Sequence, residues 1–195
     1  INFAEKNYPE ILPHLSSAKS PQQCLGSLAK TYLAEKMAIE PERIRVISIM
    51  PCTAKKDEMN RPQLRSNDRP DVDVVLTIRE FARLLRREGI DLRDLEAGAF
   101  DNPYLSDSSG AGAIFGTTGG VMEAAVRSAY FLINGKELAN TEVTALRGFD
   151  HIRTAAVSIS EGLEIKLAIC HSLKSARDVV EGVLSGKYDF DFIEV

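Results

Sequence analysis

A single cysteine in a cationic segment is the strongest chemical signal in the sequence. Cys52 lies in the nine-residue stretch MPCTAKKDE, residues 50–58, close to Lys55 and Lys56. Neighbouring cations favour the thiolate, which is the form of cysteine that binds metals and attacks electrophiles. The spacing alone supports equally well a buried cysteine that packs as a small apolar residue.

The other two cysteines, Cys24 and Cys170, are too far from Cys52 along the chain to indicate a disulfide framework or a local zinc site. We interpret both as structural thiols and expect a reducing compartment, the cytoplasm. The three histidines show no metal-ligand spacing, and we interpret them as ordinary side chains: His14, His151 and His171.

The elements that must position Cys52 follow from the pattern of apolar residues. Helical spacing predicts a helix over residues 22–37, with Ser20 as its cap and a proline at its first position. A β-branched run predicts a strand over residues 43–50, which places Cys52 at its carboxyl end. A second strand is predicted over residues 71–76.

The remainder of the chain alternates further helices and strands. Thr77 and Glu80 form a predicted capping box for a helix that ends near Gly89. A Gly-, Ser- and Thr-rich loop is predicted over residues 102–120, followed by a helix over residues 121–133. The other predicted elements are strands 142–147, 155–159 and 164–169, the last two as a hairpin, helix 172–184 and strand 188–195.

This alternation predicts an α/β fold, with a mostly parallel sheet flanked by helices and some antiparallel strands. The 195 residues, 44% of them hydrophobic and 27% charged, are enough for one globular domain, 1–195, or two small packed lobes. The net charge of −4 argues against a nucleic-acid partner. No apolar run reaches the roughly 20 residues that a membrane span needs, so we expect a soluble protein.

MPCTAKKDE matches a pattern, MPCxxKxxE, that is the second of three cysteine signatures of iron-only ([FeFe]) hydrogenases. The flanking segments SSAKSPQQ, residues 16–23, and GAIFGTTGGVME, residues 112–123, also resemble that family. The resemblance extends over nearly the whole chain. The first signature, of the Thr-Ser-Cys-Cys-Pro type, is expected before Ile1, and the third, of the Met-Ala-Cys-x-x-Gly-Cys type, after Val195. We therefore expect a fragment of the large subunit that is inactive alone.

The resemblance implies a site for reversible reduction of protons to dihydrogen. In that family four cysteines hold a [4Fe-4S] cluster that is linked to a two-iron unit with CO, cyanide and dithiolate ligands. Cys52 would be one of the four, Lys55 would donate a hydrogen bond to a cyanide, and Ser16 would belong to a proton path. Four more residues would line the pocket of the two-iron unit: Met50, Ser20, Gln22 and Phe115. With the other ligands absent, we expect no cluster in this chain.

The sequence also allows purely structural roles for some of these residues and other functions for the chain. Glu58 is expected to form a structural ion pair, and the glycines of residues 110–120 are expected to pack closely rather than bind nucleotide, because the GxGxxG and GK[ST] patterns are missing. The rival functions are an iron-sulfur assembly factor, a hydrogen sensor and a metal-free structural domain. Expected partners are the rest of the large subunit, ferredoxin or nicotinamide-linked subunits, and a second copy of the chain.

Overall fold

The computed structural model describes residues 1–101, 103–139, 145–148 and 150–195. The chain divides into two compact units. The central unit is Ser16–Asp107, and the flanking unit combines Ile1–Leu15 with Ser108–Val195. Assignment of residues 1–195 to a single α/β domain stays a prediction.

The central unit opens with the predicted helix, which is confirmed. It consists of α2 (Pro21–Leu28), a π-helical turn (Ala29–Leu33) and α3 (Ala34–Met37). The hydroxyl of Ser20 accepts a hydrogen bond from the Gln23 amide at 3.4 Å and so caps the helix as predicted.

A small parallel sheet follows in the central unit. Strand β1 (Ile47–Met50) pairs with β4 (Val74–Thr77), so that Met50 lies opposite Thr77. The strand predicted over residues 43–50 starts four residues late, at Ile47, and its first predicted position belongs to a 3-10 helix (Pro41–Arg43). The other elements are helix α4 (Ala54–Glu58), the short strands β2 (Arg65–Ser66) and β3 (Arg69–Pro70), and 3-10 helices Pro62–Leu64, Leu92–Asp94 and Pro103–Leu105.

The capping box at the start of α5 (Ile78–Arg87) is confirmed. The Thr77 hydroxyl accepts from the Glu80 amide, while a Glu80 carboxylate oxygen accepts from the Thr77 amide at 2.8 Å. Gly89 follows the helix with φ +69°, a conformation that favours glycine, so the predicted stop is also confirmed.

The flanking unit packs helices on a three-stranded sheet. Its elements are α1 (Asn2–Asn7), a 3-10 helix (Pro9–His14), α6 (Gly110–Ile114), α7 (Gly120–Asn134), β5 (Ile152–Ser160), β6 (Leu163–Cys170), α8 (Leu173–Leu184) and β7 (Phe192–Glu194). Strands β5 and β6 form the predicted antiparallel hairpin, and β7 pairs parallel to β6. Its core is a cluster of buried side chains: Met122, Val126, Leu138, Leu146, Val157, Ile159, Leu167 and Ile169.

The α/β fold class is confirmed, with parallel and antiparallel pairing both present. Among the described residues the strands form three small sheets. Of the strand predicted over residues 142–147, positions 142–144 lie outside the described residues, and residues 145 and 146 lie in a 3-10 turn. None of the helices in the described part of the chain is long and apolar enough to cross a membrane.

Candidate functional site

Cys52 occupies the connection between β1 and α4, as the sequence predicted. Its side chain is exposed and forms no disulfide. The Lys55 amide donates a hydrogen bond to the Cys52 carbonyl at 3.3 Å, and this bond closes a backbone turn over residues 52–55. Cys52 therefore follows the carboxyl end of a parallel strand, the usual position for ligand-binding residues in α/β folds.

Glu58 joins two of the predicted site residues. One carboxylate oxygen accepts a hydrogen bond from the Ser20 hydroxyl, and the other pairs with the Lys55 ammonium at 2.6 Å. The side chains of Glu58 and Lys55 are 13% and 26% exposed. The ion pair expected for Glu58 is confirmed, and it lies in a partly buried network that links the cap of α2 to α4.

Gln22 is attached to the neighbouring strand. Its side-chain oxygen accepts a hydrogen bond from the Ser48 hydroxyl on β1 at 2.7 Å. Gln22 is only 6% exposed, and its side-chain nitrogen has no partner among the described residues. A buried donor without an acceptor is costly, so this nitrogen fits a site for a group that carries a hydrogen-bond acceptor.

Lys56 connects the cysteine motif to the next helix. Its ammonium lies 2.7 Å from a carboxylate oxygen of Glu80, the residue that completes the capping box. The Lys56 hydrogen bond, reinforced by bonds from the backbone and side chain of Thr77, lowers the pKa of Glu80 from 4.5 to about 2. The motif helix α4 is thereby fixed against the start of α5.

The remaining predicted residues are more dispersed. Met50 is half-buried at the end of β1. Ser16 is exposed, and its hydroxyl accepts from the nearby Ala18 amide at 3.2 Å, without a hydrogen bond to the other candidate residues that the structure describes. Phe115 follows α6 as its C-cap and belongs to the flanking unit, whereas the other six candidates belong to the central unit.

Sequence reasoning missed Ser48. It is a hydroxyl residue within an apolar strand, two positions before Met50, and the two share the more buried face of β1. A polar residue on an inward-facing position of a strand needs a partner, and that alternation was the signal that could have identified it.

Cys24 and Cys170 differ from Cys52 and from each other. Cys170 is 1% exposed within an apolar cluster of the flanking unit, and burial raises the pKa of its thiol. It is a structural thiol, as predicted. Cys24 is exposed on α2, where its thiol donates to the Lys19 carbonyl at 3.4 Å.

Comparison with known families places the whole chain in one of them. The family described as "Iron only hydrogenase large subunit, C-terminal domain" matches residues 1–195. The chain belongs to this hydrogenase family.

Individual relatives include both hydrogenases and assembly proteins. The chain is 44% identical to the periplasmic [Fe] hydrogenase large subunit of Nitratidesulfovibrio vulgaris, over 98% of its own length and 45% of that protein. It is 34% identical to cytosolic iron-sulfur assembly component 3 of Pongo abelii, over its full length and 42% of that protein. Thus the chain spans less than half of either relative.

Solved hydrogenase structures share the fold. A variant of the [FeFe]-hydrogenase HydA1 from Chlamydomonas reinhardtii superposes with a TM-score of 0.78 at 34% identity. The alignment covers 99% of this chain and 56% of the algal one.

Proposed function

We propose that this chain forms part of the active site of a hydrogenase that interconverts protons and dihydrogen, with Cys52 as one ligand of its iron-sulfur cluster. The supporting observation is the free, exposed Cys52 thiol in the family motif, one backbone turn from the Lys55–Glu58–Ser20 network. When bound, the [4Fe-4S] cluster and its two-iron unit would supply electron storage and an open iron position for hydrogen chemistry.

The donor set in the chain fits one corner of such a cluster. Thiolate sulfur is the ligand that iron-sulfur clusters require, and Cys52 is free to provide it. The described residues contain no group of three or more His, Cys, Asp or Glu side chains that could hold a metal. We propose that the other cysteine ligands belong to the first and third signatures of the family, and we expect the 195-residue chain to bind no cluster alone.

Two polar side chains would face the two-iron unit in this proposal, and a third would position the carboxylate that holds one of them. Lys55, held by Glu58, would present a positive charge to an anionic ligand, and Gln22 would offer the buried side-chain nitrogen that lacks an acceptor. The Ser20 hydroxyl is directed to Glu58, so we assign Ser20 to positioning that carboxylate.

The other predicted roles remain proposals. Met50 and Phe115 would provide apolar walls of the pocket, and Ser16 would relay protons. We further propose ferredoxin or a nicotinamide-linked subunit as the electron partner. We propose the cytoplasm as the compartment, as for the cytosolic relative of 34% identity.

A second candidate function is iron-sulfur cluster assembly. It is favoured by the 34% identity to cytosolic iron-sulfur assembly component 3 over the whole chain. The two functions differ in output: a hydrogenase evolves dihydrogen with a reduced dye as electron donor, whereas an assembly factor passes its cluster to an acceptor apoprotein.

Anaerobic reconstitution with iron and sulfide tests the proposal. We would compare this chain with a longer polypeptide that also carries the first and third cysteine signatures, using iron counting and EPR. We expect the longer polypeptide to gain a cluster that is lost in Cys52→Ser and kept in the matched control Cys24→Ser. We expect the 195-residue chain to stay iron-free.

Two outcomes would contradict this assignment. A stoichiometric cluster on the 195-residue chain would make Cys24 or Cys170 a ligand. A cluster on the longer polypeptide that survives Cys52→Ser would remove Cys52 from the site. If the cluster forms as expected but the matured polypeptide evolves no dihydrogen and donates its cluster, the assembly function replaces the hydrogenase.

A further inference from the structure

Helix α5 of the central unit carries a row of three exposed arginines, Arg79, Arg83 and Arg86, called here the arginine row. At 3.6 residues per turn, these three positions lie within an arc of about 60° around the helix. Among the described residues, no carboxylate lies within ion-pair distance of the row. A fourth arginine of the helix, Arg87, pairs instead with its neighbour Glu88 at 2.9 Å.

The arginine row does not stabilise the helix that carries it. Like charges three or four positions apart on a helix repel each other, and Arg79–Arg83 and Arg83–Arg86 are two such pairs. Glutamine at the same positions would keep a similar helix propensity and remove the repulsion. The row is also a local exception in a chain whose net charge is −4. A molecule that supplies the missing counter-charges would relieve this repulsion.

The row is held on a rigid support. Helix α5 begins with the Thr77–Glu80 capping box and packs on β1 and β4. The Lys56 ammonium, 2.7 Å from the Glu80 carboxylate, joins α5 to α4. The three arginines extend over about 10 Å along the helix axis. Because the helix is fixed at this spacing, a partner with matching charges would bind without ordering the backbone first.

The surroundings of the row favour protein carboxylates over lipid or nucleic acid. A helix that binds a membrane surface needs a free apolar face next to its cations. In α5 the apolar residues opposite the row, Phe81 and Leu85, are half-buried, and the helix packs on the sheet. A nucleic acid is a dense polyanion that the net charge of −4 repels, and a row of about 10 Å meets few of its phosphates.

We propose that the arginine row binds an acidic segment of a partner protein. The planar guanidinium forms paired hydrogen bonds with a carboxylate, and arginine is enriched in protein interfaces. A segment with a few carboxylates spaced over about 10 Å has the length and the charge that the row requires. This inference goes beyond the proposed function, because neither Cys52 nor its network takes part in the binding.

A fluorescent deca-glutamate peptide is the probe for the test. Its binding to the 195-residue chain would be followed by fluorescence anisotropy at low ionic strength, where screening is weak. We expect the peptide to bind and added salt to weaken the binding. Changing all three arginines of the row to glutamine should weaken the binding about tenfold, because each exposed ion pair contributes little by itself. Circular dichroism would show that this row variant keeps its helices.

A second triple variant separates the row from the net charge of the chain. It replaces three exposed lysines outside α5 and lowers the net charge by the same amount: Lys6→Gln, Lys136→Gln and Lys174→Gln. We expect this control to bind the peptide as wild type does. The single variant Arg83→Gln, in the middle of the row, should weaken binding by a smaller factor and serves if the triple row variant does not fold.

The same assay includes phosphatidylserine vesicles and a short DNA duplex as rival ligands. The proposal is overturned if wild type does not bind the peptide, or if the row variant and the lysine control lose the same affinity. It is also overturned if vesicles or DNA bind through the row more tightly than the peptide does. Peptide binding that depends on the row and not on the three lysines supports it.

Discussion

Replacing Glu58 with glutamine should reveal how strongly the predicted site is held together. Glu58→Gln keeps the side-chain volume but removes the charge that pairs with Lys55 at 2.6 Å and accepts from the Ser20 hydroxyl. The Lys55 ammonium then loses its counter-ion in a position that is only 26% exposed. The variant should be less stable because water replaces that carboxylate incompletely.

The magnitude follows from the exposure of the two side chains. A hydrogen bond to a charged group contributes about 1.5–3 kcal/mol, and access of water to a quarter of Lys55 reduces this to about 1–2 kcal/mol of unfolding free energy. For a chain of this size, such a loss lowers the melting temperature by about 2–8 °C. Urea unfolding should show a lower midpoint with an unchanged slope.

A double-mutant cycle with Lys55→Met separates the pair from other effects of each substitution. The coupling energy between Glu58→Gln and Lys55→Met should be about 1 kcal/mol. The matched control is the exposed pair of Lys166 and Asp189, where Lys166→Met and Asp189→Asn should show no measurable coupling. Additivity of the Glu58 and Lys55 changes within about 0.3 kcal/mol would refute a shared network.

Three other perturbations test the surroundings of the site. A Cβ on Gly26 would lie 2.5 Å from a backbone oxygen, so Gly26→Ala should cost about 1–3 kcal/mol in urea unfolding, whereas Gly98→Ala, with open space around it, should be neutral. Because the folded-state pKa of Glu80 is about 2 and its ordinary value is 4.5, its contribution to stability is present above pH 4.5 and lost as pH falls through 2. The stability difference between wild type and Glu80→Gln should therefore shrink over that interval, and a constant difference would refute this assignment. Ile47 and Ile49 are exposed on one face of a parallel sheet, a type of sheet that is usually covered on both faces. Gel filtration should therefore show self-association of the chain, and Ile49→Lys should reduce it. A clean wild-type monomer at high concentration would contradict this expectation.

Local signals in the sequence identified most elements correctly. The cap at Ser20, the Thr77–Glu80 box and the stop at Gly89 depend on neighbouring residues, and all three are present. The limits of the strands depend instead on hydrogen bonds to residues far away along the chain. The Val46 amide, for example, donates a hydrogen bond to the Asp73 side chain at 2.7 Å. No pattern in the residues next to Val46 predicts that bond.

The same distinction applies to the candidate site. The strand pattern correctly placed Cys52 after β1, and the ion pair expected for Glu58 is present, because both depend on one short segment. The motif did not reveal that Ser20 donates to Glu58 across 38 positions, or that Gln22 accepts from Ser48 across 26.

The Glu194 carboxylate accepts hydrogen bonds from the amides of Gly119 and Met122 at 2.8 and 2.6 Å and so caps the first turn of α7. This cap has a consequence for synthesis of the chain. Gly119 and Glu194 are 75 residues apart, and a ribosome adds about 5–20 residues per second. The first turn of α7 therefore emerges on the order of 4–15 seconds before the carboxylate that completes it. Strands β5 and β6, which cover Met122 and Val126, are also made during this interval. In the nascent protein the apolar face of α7 is therefore uncovered until these two strands are made.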